Sequence, residues 1–66
     1  MIEFQVNDMT CGHCVGVITQ AVAAVDAAAT VEIDIPTHRV RIHGSDQQQT
    51  IRAAIIEAGY TPVLIT

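Results

Sequence analysis

The 66-residue chain holds two cysteines, Cys11 and Cys14, which form one Cys-x-x-Cys pair within the stretch Met9-Thr10-Cys11-Gly12-His13-Cys14. A short alternating segment ends at Asn7 just before them, and a longer segment of helical periodicity opens with them. The two thiols therefore fall at a strand-to-helix turn. A helix N-terminus presents unpaired backbone N–H groups and the positive end of the macrodipole, and both favour thiolate over thiol. Thr10 is the expected N-cap, its hydroxyl accepting a first-turn N–H.

Thiolates select soft or borderline metals, of which Cu(I) and Zn²⁺ are the cellular candidates. A structural zinc site takes four ligands and would need a second pair at suitable spacing, which the chain does not offer. Apart from His13, the imidazoles are His38 and His43. Both are expected on a hairpin turn and its second strand, directed away from the cysteine loop. Cu(I) is content with two thiolates, so the pair alone is a complete site for it. An under-coordinated ion on an exposed loop is also open to a partner's thiolates, and transfer would follow by stepwise ligand exchange. The rival chemistry is a redox dithiol. Thioredoxin-like folds place such a pair at a helix start, but they need a longer chain and a different strand order, and no Trp or Pro accompanies this pair.

Composition narrows the classes further. A chain this short is one domain, spanning residues 1–66, and buries only about 60% of the surface its unfolded form exposes. Half the residues are apolar, yet Phe4 and Tyr60 are the only aromatics, so the core must come from Val, Ile and Ala. Arg39, Arg41 and Arg52 carry all the fixed positive charge against a net −4. That balance argues against a nucleic-acid surface and against a polybasic membrane contact. It serves solubility and would steer docking toward a less acidic or basic partner face. No basic region followed by an apolar run opens the chain, and no apolar stretch approaches the ~20 residues of a membrane span. Two cysteines so close together do not make the disulfide framework of a small secreted domain, so a reducing cytosol is the expected home.

The elements that position the pair follow from periodicity. Ile2, Phe4 and Val6 alternate with Glu3, Gln5 and Asn7 in a first strand. Val15, Ile18, Val22 and Val25, with Ala21, make the stripe of a helix running to about Asp26. Val31, Ile33 and Ile35 mark a second strand, Pro36 to Arg39 a turn, and Val40 and Ile42 a third strand paired as a hairpin. Beyond Gly44, Ser45 and Gln48 form an expected capping box for a second helix with Ile51, Ala54, Ile55 and Ala58 inward. Gly59 suits its left-handed end. Thr61 to Thr66 is a last strand, with Val63 and Ile65 on one face; Pro62 confines it to an edge or begins it. This order specifies the α+β class: a ferredoxin-like βαββαβ sandwich, a four-stranded antiparallel sheet with two helices on one face. In that arrangement the loop after the first strand and the loop after the second helix share one edge, bringing Tyr60 near Cys11 and Cys14.

The motif in this setting resembles the Met-x-Cys-x-x-Cys motif of heavy-metal-associated domains, found in small copper chaperones and in the N-terminal modules of copper-transporting P-type ATPases. The likeness runs through the first strand, the motif, the Val31 to Ile42 hairpin and Glu57-Ala58-Gly59-Tyr60. It implies Cys11 and Cys14 as Cu(I) ligands, with Met9 packing beneath the loop rather than coordinating. Thr10 stands where zinc- and cadmium-exporting relatives commonly carry an acidic residue, which favours copper. Tyr60 occupies a position where bacterial copper chaperones often have Tyr; it would shield the site or tune ligand exchange, or else simply pack with its hydroxyl in water. His13 is read as an exposed first-turn residue, the alternatives being a tuner of the thiols or a third ligand when two molecules share metal. Asp8 departs from a common Gly and would alter loop geometry or lend a carboxylate to a harder ion. Ala27-Ala28-Ala29 replaces a loop that often carries Pro-Gly.

The resemblance thus implies a cytoplasmic Cu(I) chaperone, not an enzyme, that hands its ion to a copper-transporting P-type ATPase or a copper-responsive regulator. It would be a monomer without metal, with a copper-bridged dimer open to it. An excised ATPase module, a zinc or mercury carrier on the same scaffold, and a small thiol-disulfide oxidoreductase are the alternatives. A chain that starts at Met1 and finishes with the last strand favours the free-standing protein.

Overall fold

The computed structural model describes residues 1–9 and 12–65. Its elements are β1 (Ile2–Val6), α1 (Gly12–Val25), β2 (Thr30–Asp34), β3 (Arg39–His43), α2 (Gln48–Glu57) and β4 (Pro62–Leu64). The four strands form one antiparallel sheet in the order β2-β3-β1-β4. Both helices lie on one face, which is the ferredoxin-like α+β arrangement expected from the element order.

The core lies between that face and the helices. Phe4, Val6, Val40 and Ile42 of the sheet meet Ile18 and Val22 of α1 and Ile51 and Ile55 of α2, all fully buried. In each helix the buried residues recur every four positions, as one face of an α-helix must. The stripe of α1 starts at Cys14 rather than Val15, which is only half-buried. On the open face, Glu3 of the central strand β1 is buried beneath Arg39 and Arg41, at 3.1 and 3.6 Å from their guanidinium nitrogens. Neighbours on both sides of β1 shelter a carboxylate there, while two cations keep it satisfied.

Local chemistry sets the ends of the elements. α2 finishes in a Schellman motif, with Tyr60 N–H donating to the Ile55 carbonyl (3.2 Å) and Gly59 N–H to that of Ile56 (3.0 Å). Gly59 takes φ +103°, where a side chain is disfavoured. The start of α2 differs from the expected capping box. Its N-cap is Gln47, with no side-chain cap bond, because Ser45 Oγ accepts the N–H of Gln47 two residues on, at 3.2 Å, a local turn that competes with capping. After α1, the Asp26 carboxylate accepts the Ala28 N–H at 3.1 Å, so a side-chain turn closes the Ala27-Ala28-Ala29 connection. β4 is an edge strand that begins at Pro62, where a missing N–H is tolerated. Pro62 pairs with core-facing Val6, which puts Pro62 inward and leaves Val63 on the open face.

Candidate metal site

β1 leaves the sheet through a tight turn in which Met9 N–H donates to the Val6 carbonyl at 3.2 Å, with Asn7 and Asp8 at the corner. Met9 then drops its side chain wholly into the core. Thr10 and Cys11 lie outside the described residues, so the expected N-cap and the first thiol do too. The chain re-enters the description at Gly12, the first residue of α1. Cys14 thus lies in the first described turn of α1.

Cys14 is only 7% exposed and belongs to the core cluster, whereas its neighbour His13 faces solvent. Cys14 is therefore positioned by packing in the same stripe as Ile18 and Val22. Among the described residues, no three His, Cys, Asp or Glu side chains gather into a metal-binding group.

Two other connections close around the turn. From the α2–β4 corner, Thr61 N–H donates to Asp8 Oδ1 at 3.2 Å. That bond gives the Asp8 side chain a structural partner, and the preceding Tyr60 is half-buried against the core at the same corner. From the β2–β3 hairpin, His38 Nδ1 lies 2.8 Å from the Met9 carbonyl oxygen, and the His38 carbonyl accepts the Val6 N–H at 2.7 Å. Gln5 Nε2 adds a bond to the Thr37 carbonyl at 2.8 Å.

This corrects the expectation that the hairpin turn and His38 point away from the cysteine loop. β1 and β3 are antiparallel with Gln5 opposite Arg39, so the turn that feeds β3 must sit where β1 ends. The strand order already contained that signal. His43 does lie toward the other end, near the Ile2–Ile42 pair, with Nε2 3.2 Å from Glu32 Oε1.

A ferredoxin-like fold whose sequence carries a Cys-x-x-Cys motif between β1 and α1, with Cys14 on the helix itself, is the frame of a module for soft metals. The chain belongs to the heavy-metal-associated domain family, whose model matches residues 3–61. It is 32% identical over 65 residues to copper-transporting ATPase 1 of Rhizobium meliloti (strain 1021), a match that takes in 96% of this chain and 8% of the ATPase. The chain thus spans a small fraction of the ATPases it matches. Among solved structures, the copper chaperone Atx1 from Synechocystis PCC6803 superposes with a TM-score of 0.90 at 33% identity, covering 96% of this chain and all of that one. A gold binding protein superposes with a TM-score of 0.91 at 34% identity, covering 98% of this chain and all of that one. No helix among the described residues is long and apolar enough to cross a membrane.

Proposed function

We propose that this chain is a copper carrier: it binds one Cu(I) through Cys11 and Cys14 and passes it by thiolate exchange to a copper-transporting P-type ATPase or a copper-responsive regulator. The observation that carries the reading is the placement of Cys14 in the first described turn of α1, a few residues beyond a Met9 that is packed in the core rather than offered to the metal. The remaining sulfur donors at that turn, by sequence, are the two thiols. Cu(I) is the cellular ion that such a pair satisfies alone. Cytoplasmic residence, the absence of catalysis and a metal-free monomer belong to the same reading. If the chain is instead part of a longer pump, as the match to the ATPases allows, the loading chemistry is unchanged and only the recipient differs.

Anaerobic titration of the reduced protein with Cu(I) against a competing chelator, and with Zn²⁺ in parallel, tests the proposal. One Cu(I) should bind far more tightly than zinc, and Cys11→Ala or Cys14→Ala should abolish tight binding. Equal or tighter zinc binding would overturn it. The likeness to a gold binding protein makes a monovalent gold complex the second ion to compete; displacement of Cu(I) at equimolar gold would move the assignment from copper to gold.

A further inference from the structure

We infer that His38 is a positioning residue for the thiol pair: from the neighbouring hairpin, it holds the main chain that leads into Cys11. The inference deepens the copper-binding reading and rests on it. Its ground is a closed set of three hydrogen bonds. Met9 N–H donates to the Val6 carbonyl at 3.2 Å, the His38 carbonyl accepts the Val6 N–H at 2.7 Å, and His38 Nδ1 lies 2.8 Å from the Met9 carbonyl. One residue of the hairpin thus grips both ends of the turn that launches the metal loop. A carbonyl only accepts, so Nδ1 must carry the ring proton for this contact to be a bond.

The backbone at His38 is arranged for that reach. The hairpin connection spans four residues between the Asp34–Arg39 pair, and Pro36 sits where its fixed φ suits the turn closed by His38 N–H on the Ile35 carbonyl at 3.1 Å. His38 takes φ +56°, the one non-glycine positive φ among the described residues. Histidine tolerates that region better than most side chains do, yet glycine or asparagine would be easier there. Turn geometry alone therefore does not ask for an imidazole. The Met9 carbonyl does. Because the peptide group is planar, fixing that oxygen limits the direction in which the chain leaves Met9 toward the cysteines. Groups that orient a metal ligand from behind typically change metal affinity 10–100-fold when removed. His38 acts one step further back, through the main chain, so the lower end of that range applies.

Three variants separate the bond from the turn. His38→Gly removes the donor while suiting the left-handed backbone. His38→Asn keeps a donor one bond beyond Cγ and also tolerates that backbone. His38→Ala removes the donor and adds strain. With Cu(I) affinity read by chelator competition, His38→Gly should bind about tenfold more weakly than the parent while keeping its thermal midpoint, and His38→Asn should recover most of the loss. The metal-free protein supplies a second readout: nitrogen NMR of the His38 ring should show the Nδ1–H tautomer. An Nε2–H tautomer, or a folded His38→Gly protein that binds Cu(I) as tightly as the parent, would overturn the inference. Failure of the parent itself to bind Cu(I) would instead strike the copper reading, and the ring tautomer would still decide whether His38 holds the turn.

Discussion

The Asp8 carboxylate accepts the backbone N–H of Thr61 at 3.2 Å, joining two connections that lie 53 residues apart in the chain. On one side is the turn leading into the thiols, on the other the corner after α2 where Tyr60 packs. The bond is solvent-exposed, so its net worth is about 0.5–1 kcal/mol. Asp8→Ala should lose that much in urea denaturation and speed amide exchange at Thr61. Asp8→Asn, which keeps Oδ1 as an acceptor, should retain both. Unchanged Thr61 protection in Asp8→Ala would show that the tie does not persist in solution.

Gly59 tests the same corner through the backbone. A Cβ placed there meets nothing within 4 Å, so the cost of a side chain comes from its φ of +103° alone. Gly59→Ala should therefore lose about 1–2 kcal/mol, the usual penalty of a left-handed L-residue. In a domain of this size each kcal/mol lowers the thermal midpoint by about 4–8 °C. Gly59→Asn should lose less, since asparagine is the common substitute at this helix end. Equal midpoints for glycine and alanine would mean that the corner rearranges rather than strains.

Glu3 supplies a prediction about the open face of the sheet. Its buried carboxylate faces Arg39 and Arg41, whose side chains are 43% and 44% exposed. The arginines keep much of their water, so this pairing is partly screened and Glu3→Gln should cost only about 0.5–1 kcal/mol. The difference between the two proteins should shrink in about 1 M salt, where the Debye length falls to about 3 Å. A loss that ignores salt would assign Glu3 a packing role instead.

Periodicity made most of the fold legible because β1, β3 and both helices bury one apolar side, whereas the short β4 is apolar on both. Ile2, Phe4 and Val6 announce β1, and Ile51 and Ile55 announce α2, without any knowledge of their partners. The thiol pair was equally plain, being the only cysteines present. What periodicity does not encode is which side chains bridge connections. Asp8 and Thr61 bond as side chain and backbone, and a backbone N–H has no signature in sequence. Ser45 carries the letters of a capping box, yet its hydroxyl turns to Gln47 because the helix starts later. The closeness of His38 to Met9 was available in principle from the antiparallel pairing of β1 and β3, and needed only that the direction of each strand be followed to its end.

Met9 decides whether the thiols act without a third sulfur. Its side chain is fully buried with Phe4, Ile18 and Ile55 in the core, so it should behave as a volume to be filled. Met9→Ala would open a cavity costing about 2–5 kcal/mol, enough to unfold much of so small a domain. It cannot by itself separate a packing role from a ligand role. Met9→Leu can: the volume is conserved, the stability loss should stay under about 1.5 kcal/mol, and the thioether is gone. Under the two-thiolate reading, chelator competition should give Met9→Leu a Cu(I) affinity within about threefold of the parent, since only the softness of the two cysteines holds the ion. A folded Met9→Leu protein with sharply weakened Cu(I) binding would make the thioether a ligand, and would require Met9 to leave the core when metal arrives.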